Sequence, residues 1–182
     1  MEIQTIYQKS IKFAAKKHAD LNQCVPDTNL PYVVHLCNVA MEIMIASQHS
    51  AGFNLQFAIP VALLHDSLED TETTFDEIAA EFGNDVAVAV LALTKNNELP
   101  KKLKMEDSLQ RIKKLSKEVW AIKLADRITN LQAPPAHWSP EKIKEYRNEA
   151  IQILTFLAGA NNYLEERLKN KIEAYSTYLQ NN

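Results

Sequence analysis

The 182-residue sequence predicts an all-α bundle of about eight to ten helices, and three observations carry that expectation. Glycine stands at only three positions, 52, 83 and 159. No run alternates β-branched and polar residues between turn signals, which is how a half-buried strand reads. Apolar residues recur instead three and four apart, as they must to line one face of a helix.

Each element can be justified in order. A first helix is expected over roughly 3–20, where Ile3, Ile6, Tyr7, Ser10, Phe13 and Ala14 form an inward stripe. The breaker-rich segment "NQCVPDTNLP" ends it. A second helix starts near Pro31, since a first-turn proline lacks only an N–H that would be unpaired anyway, and Tyr32, His35, Leu36, Val39, Ala40 and Ile43 share its inner face. Gly52 breaks the chain, and a third helix is expected from about Asn54 to Asp70. Thr74 and Glu77 then make a Thr-x-x-Glu capping box for a helix that Gly83 stops in the left-handed conformation. Further helices are expected at about 85–94, 103–116, 118–131, 140–158 and 161–179. In the last, Leu164, Leu168, Ile172, Tyr175 and Leu179 form a stripe with two available uses, covering the core or pairing with a second copy in a homo-oligomer. With no repeat or low-complexity tract, residues 1–182 read as one domain.

Composition narrows the function classes. Apolar residues at 46% and charged residues at 24% describe an ordinary globular chain. A net charge of −3 argues against a nucleic-acid partner, which needs a broad basic surface. No run of about 18 apolar residues occurs and Met1-Glu2-Ile3-Gln4-Thr5 does not read as a leader, so no membrane association and a cytoplasmic location are expected. Cys24 and Cys37 have neither disulfide-framework nor zinc-thiolate spacing. Charge is nevertheless segregated: residues 66–85 hold eight acids and no Lys or Arg, whereas 101–117 hold seven basic residues against two acids. The first stretch suits cations and the second anions.

The segment "ALLHDSLEDTETT" concentrates this chemistry. An apolar lead-in ends in His65 and Asp66, and Glu69 and Asp70 follow within one helical turn, so three carboxylates crowd one helix end. A lone inward histidine is more often a hydrogen-bonded core residue, and a helical aspartate more often solvated or capping. Together, at the end of so hydrophobic a helix, they would cost several kcal/mol if buried without a positive partner. A divalent metal resolves the conflict, and imidazole with carboxylates and no thiolate suits Mn, Fe or Zn, leaning toward Mn. Two other segments offer ligands: His35 on the second helix and Asp126 after the apolar approach of "AIKLADRITNL".

The order His35, His65-Asp66, Asp126 resembles the HD phosphohydrolase superfamily, an all-α fold. The segments "PYVVHL", "ALLHDSLEDTETTFDEIAAEFGNDV", "LTK", "KLADRITNL" and "HWSPEKIKEY" are similar to the hydrolase domain of Rel/SpoT stringent-response enzymes, and the length is similar to stand-alone alarmone hydrolases of the metazoan SpoT-homologue type. The likeness spans about 10–155, leaving 156–182 as a C-terminal helical extension. It implies one Mn²⁺ on His35, His65, Asp66 and Asp126, with Glu69 and Asp70 orienting or deprotonating a water that hydrolyses the 3′-pyrophosphate of ppGpp or pppGpp. It also implies that Lys17, His18, Lys95, Lys101, Asn130, Lys142 and Tyr146 contact the nucleotide.

The chain departs from that family in places. No basic residue lies between Lys17 and His35, where the family carries an arginine expected to stack on the base. Leu36 follows His35 where proline is common, and Leu131-Gln132-Ala133 follow Asn130 where an arginine and a threonine are frequent. The altered shell leaves other substrates open within the same chemistry: an adenosine alarmone, NADPH or a nucleoside monophosphate. A catalytically silent nucleotide-binding module is the alternative from outside that class.

Overall fold

The computed structural model describes residues 2–179, so the domain limits expected at 1 and 182 lie outside the described residues. The helices are α1 (Ile3–Asp20), α2 (Val33–Ser47), α3 (Leu55–Leu64), α4 (Ser67–Asp70), α5 (Phe75–Phe82), α6 (Asn84–Leu93), α7 (Lys101–Lys113), α8 (Lys117–Asn130), α9 (Pro140–Phe156) and α10 (Asn162–Tyr175), followed by a 3-10 turn at Ser176–Leu179. Among the described residues the only extended pairing is a lone antiparallel bridge between Cys24 and Pro31. None of these helices is long and apolar enough to cross a membrane.

Local signals set most of the helix ends. Asn54 accepts the Phe57 N–H at 3.1 Å and Asn161 accepts that of Leu164 at 3.1 Å, each a cap of about 1 kcal/mol. Thr74 accepts the Glu77 N–H at 3.2 Å while the Thr74 N–H donates to Glu77 Oε2 at 2.8 Å, the reciprocal box expected from sequence. Gly83 takes φ 95°, a backbone conformation costly for any residue with a Cβ.

The core is built around α3. Every residue from Ala58 to Leu64 is buried, so this helix is apolar on all sides and packs against α1, α2, α6 and α8. Leu36 and Ile43 of α2, Ile59 and Leu63 of α3 and Ile122 and Leu124 of α8 are fully buried where these helices meet. Truncating one such leucine to alanine costs about 2–5 kcal/mol.

Two expectations change. The helix expected over 54–70 is two helices, because the helical hydrogen-bond ladder is interrupted at His65 and Asp66, although both keep right-handed helical backbone angles. The His65 ring donates from Nδ1 to the Ala62 carbonyl at 2.8 Å, occupying the acceptor that the Asp66 N–H would use in a continuous helix. Asp66 then starts α4, its carbonyl accepting from the N–H groups of Glu69 at 3.1 Å and Asp70 at 2.9 Å. The C-terminal stripe, for its part, is used within the chain: Leu164, Leu168, Ile172 and Tyr175 are buried where α10 packs on α8, α9 and α2. That helix ends at Tyr175, earlier than the expected 179, and closes in the 3-10 turn.

Candidate metal centre

Three segments meet at one point. α2 brings His35, the α3–α4 break brings His65 and Asp66, and α8 brings Asp126. His35 Nε2 lies 3.4 Å from His65 Nε2 and 3.6 Å from Asp126 Oδ1, and His65 Nε2 lies 3.7 Å from that same oxygen. Asp66 Oδ2 adds contacts of 2.9 Å to His65 and 3.5 Å to His35. Donor atoms bound to one ion at about 2.1 Å are separated by about 3.0 to 3.5 Å, for octahedral or tetrahedral angles, and the separations here, 2.9 to 3.7 Å, lie within about 0.2 Å of that range. The residues therefore fit a divalent cation, and His35, His65 and Asp126 each offer one ligand atom within 4.8 Å of the others.

Hydrogen bonding aims the rings. A carbonyl only accepts, so the 2.8 Å contact between His65 Nδ1 and Ala62 O places the proton on Nδ1. The Thr129 hydroxyl donates to the Asp126 carbonyl at 2.9 Å and so accepts from His35 Nδ1 at 3.3 Å. Both rings, when neutral, turn bare Nε2 lone pairs toward each other and toward two carboxylates. Such convergence is repulsive without a cation between them. A proton is the cheapest substitute: burial disfavours a charged His65, yet the Asp66 charge and contacts to Asp126 and Asp66 outweigh it and hold its pKa well above the ordinary value. Burial likewise works against both charged carboxylates, but the His65 charge beside Asp66 and the Lys123 ammonium beside Asp126 hold their pKa values well down.

The carboxylates have partners of their own. Tyr32 donates its hydroxyl to Asp66 Oδ2 at 2.6 Å, with burial and the Asp66 charge keeping the phenol protonated. Lys123 reaches Asp126 Oδ2 at 3.0 Å, and Asn130 donates to Asp126 Oδ1 at 2.6 Å. Glu69 receives both the backbone N–H of Lys95, at 3.0 Å, and its ammonium, at 2.6 Å. Asp70 Oδ2 accepts from Gln23 Nε2 at 3.0 Å, and burial followed by the Asp66 charge raises the Asp70 pKa. Four carboxylates thus face two ammonium groups, and the two uncompensated negative charges equal the charge of one divalent ion.

Of the residues expected from sequence to contact the nucleotide, the structure places Lys95, His18, Asn130 and Tyr146 within reach of the Asp66 or Asp126 charge. Lys95 pairs with Glu69 and feels the charges of Asp66 and Asp126. His18 is buried and stacks on Tyr32 at 4.8 Å, its Nε2 without a partner among the described residues. Asn130 donates to Asp126 itself, as an outer partner of that candidate ligand. Tyr146 packs over Arg127, 4.3 Å from ring centre to guanidinium carbon, and the Asp126 charge reaches its hydroxyl. Lys142 pairs with Glu145 at 3.0 Å, and the same carboxylate feels Lys101 at the start of α7, so two lysines remote in sequence lie near one carboxylate. Lys17 is turned aside, its ammonium held 2.7 Å from the capping-box Glu77.

Sequence reasoning passed over Tyr32, Lys123, Thr129 and Gln23 as parts of the site. Three of them carried a signal. Tyr32 and Thr129 each lie three residues from a ligand, and Lys123 interrupts an apolar run at the same spacing before Asp126. Gln23 lies in an irregular loop, where periodicity says nothing.

Comparison with known proteins agrees with the all-helical fold and the HD resemblance. Residues 10–162 match the HD domain family. The chain is 34% identical over 165 residues to the mouse guanosine-3′,5′-bis(diphosphate) 3′-pyrophosphohydrolase MESH1, covering 88% of this chain and 89% of that one. The human protein of the same name is 35% identical over 162 residues, covering 87% and 88%. A solved structure described as a metazoan ortholog of SpoT that hydrolyses ppGpp superposes with a TM-score of 0.79 at 28% identity, over 93% of this chain and 94% of that one. Family match, pairwise likeness and superposition agree, and the chain belongs to the HD domain family.

Proposed function

We propose that this chain is a Mn²⁺-dependent, cytoplasmic hydrolase that removes the 3′-pyrophosphate of ppGpp or pppGpp, releasing GDP or GTP and diphosphate. One observation carries the reading: His35, His65, Asp66 and Asp126 converge with two negative charges uncompensated, in a chain whose relatives are named for this reaction. When bound, the cation supplies Lewis acidity, lowering the proton affinity of water and polarising a phosphoryl oxygen.

The remaining roles fall to the chain's own groups. Both oxygens of Glu69 are held by Lys95, whereas Asp70 keeps Oδ1 without a protein partner among the described residues. Asp70 is therefore the better placed general base, and Glu69 orients. Water attacks the phosphorus on the ribose 3′ oxygen, Asp70 takes its proton, the bond from that phosphorus to the 3′ oxygen breaks, and the departing oxygen regains a proton. Lys95, His18 and Asn130 would receive the phosphates nearest the reaction, with Lys101, Lys142 and Tyr146 on the rim. Lys17 would join them only by leaving Glu77. The reading treats the chain as one domain whose C-terminal helices cover its own core, since buried residues from α1 to α10 form one cluster.

The test is product analysis by anion-exchange chromatography with Mn²⁺ and a panel of nucleotides. GDP and diphosphate from ppGpp are expected. Absence of diphosphate from every 3′-diphosphorylated nucleotide would overturn the assignment. The 21–32 loop, which carries no basic residue, favours including adenosine alarmones, NADPH and nucleoside monophosphates in that panel.

A further inference from the structure

The loop after α1 begins with a sharp turn. Asn22 takes φ 52°, a left-handed conformation that asparagine tolerates better than most residues, and the chain folds back at once. Gln23 is then fixed through its backbone on both sides: its N–H donates to the His18 carbonyl at 3.1 Å, and its carbonyl accepts from the Tyr32 N–H at 3.1 Å. His18 and Tyr32 themselves stack at 4.8 Å. This residue has little backbone freedom left.

The side chain is equally constrained. Asp70 as a carboxylate can only accept, so the Gln23 amide must turn its NH₂ toward Asp70 Oδ2, 3.0 Å away. The amide oxygen then faces His18 Nδ1 at 2.5 Å, which must carry the proton. Only one amide orientation and one imidazole tautomer satisfy both contacts. The chain of donors runs from the buried His18 through Gln23 to Asp70, and it engages Oδ2 alone, leaving Oδ1 without a protein partner among the described residues.

We infer that Gln23 is a positioning residue: its carboxamide, fixed by His18, clamps Asp70 Oδ2 so that Oδ1 faces the reacting water. This rests on the hydrolase reading for the role of Asp70, though the clamp itself is a matter of geometry. It gives the loop, which has no basic residue, a task other than gripping the base. A carboxylate free to rotate about χ2 would present the right oxygen for only part of the time, so the loss of the clamp should fall on turnover and not on substrate binding.

The experiment compares wild type with Gln23→Met, which keeps the length and removes both hydrogen bonds, and Gln23→Glu, which keeps the shape and sets a carboxylate against Asp70. Expected are about a 10–100-fold fall in kcat for both variants, KM within about 2-fold, and unchanged Mn²⁺ affinity by titration of the metal alone. In an Asp70→Asn background, Gln23→Met should cost no further activity, since the residue acts through that carboxylate. Retained kcat, a loss confined to KM, or full additivity with Asp70→Asn would overturn the inference. A crystal structure of Gln23→Met supplies a readout without substrate: Asp70 should leave its wild-type orientation, and an unmoved Asp70 would refute the clamp even if the wild type hydrolyses none of the nucleotides tried. Should Gln23→Met not fold, Gln23→Glu carries the same tests.

Discussion

Lys95 holds Glu69 by two bonds of different kinds, its backbone N–H on Oε2 at 3.0 Å and its ammonium on Oε1 at 2.6 Å. The backbone bond fixes the carboxylate whatever the side chain does. The ammonium is half-exposed and can exchange its single carboxylate for the phosphates of an arriving polyanion.

Lys95→Met should therefore raise KM for ppGpp by about 10-fold and flatten its dependence on ionic strength, with a smaller effect on kcat because the backbone bond to Glu69 persists. Steady-state kinetics at two salt concentrations decide it. A KM unchanged at both would remove Lys95 from substrate capture.

Stripping divalent metal should abolish hydrolysis and lower the melting temperature. Mn²⁺ at 100 times its dissociation constant should restore about 2.7 kcal/mol, because the ion binds the folded arrangement and not the unfolded chain. Asp126→Asn should weaken that thermal shift by leaving one neutral donor where a buried charge stood. Equal shifts in wild type and variant would place the ion elsewhere.

Asp70→Asn should reduce kcat by about 10²–10⁴-fold, the usual contribution of a general base, while metal content by elemental analysis stays at the wild-type level. Glu69→Gln should cost less, since both oxygens of Glu69 already serve Lys95. The reverse order would exchange the two roles.

Burial lowers the pKa of His18 despite the bond to Gln23 and the nearby Asp66 and Asp70 charges, with His65 adding to the depression. The folded protein thus holds this ring neutral, whereas the unfolded chain takes up a proton near pH 6.5. Above that pH the ring is neutral in both states. Below it the unfolded state gains, and stability falls until the folded ring also titrates. In urea denaturation, the gap between wild type and His18→Asn should narrow from pH 7.5 to pH 5.5. A gap independent of pH would exclude this contribution.

Much of this protein is written in short-range pattern. Helix faces follow from apolar spacing, as at Leu164, Leu168 and Ile172, and helix ends from residues that satisfy orphan backbone groups locally, as at Asn54, Thr74 and Gly83. The candidate ligands were legible for a related reason: charge at the end of a helix as apolar as α3 is costly without compensation, so His65 and Asp66 stand out in one dimension. Other features depend on contacts across the chain. The break at His65 needs an imidazole to outcompete a backbone N–H for the Ala62 carbonyl, a choice made where the ring is drawn toward His35 and Asp126. Lysine destinations were equally hidden, because a long flexible cation goes to whichever carboxylate the packed helices bring near: Glu77 for Lys17, Glu69 for Lys95, Asp126 for Lys123. The sequence alone determined the helices and which residues could bind a cation; only the tertiary structure decided how those residues are aimed, because aim depends on hydrogen bonds between segments up to about a hundred residues apart, such as Thr129 to His35.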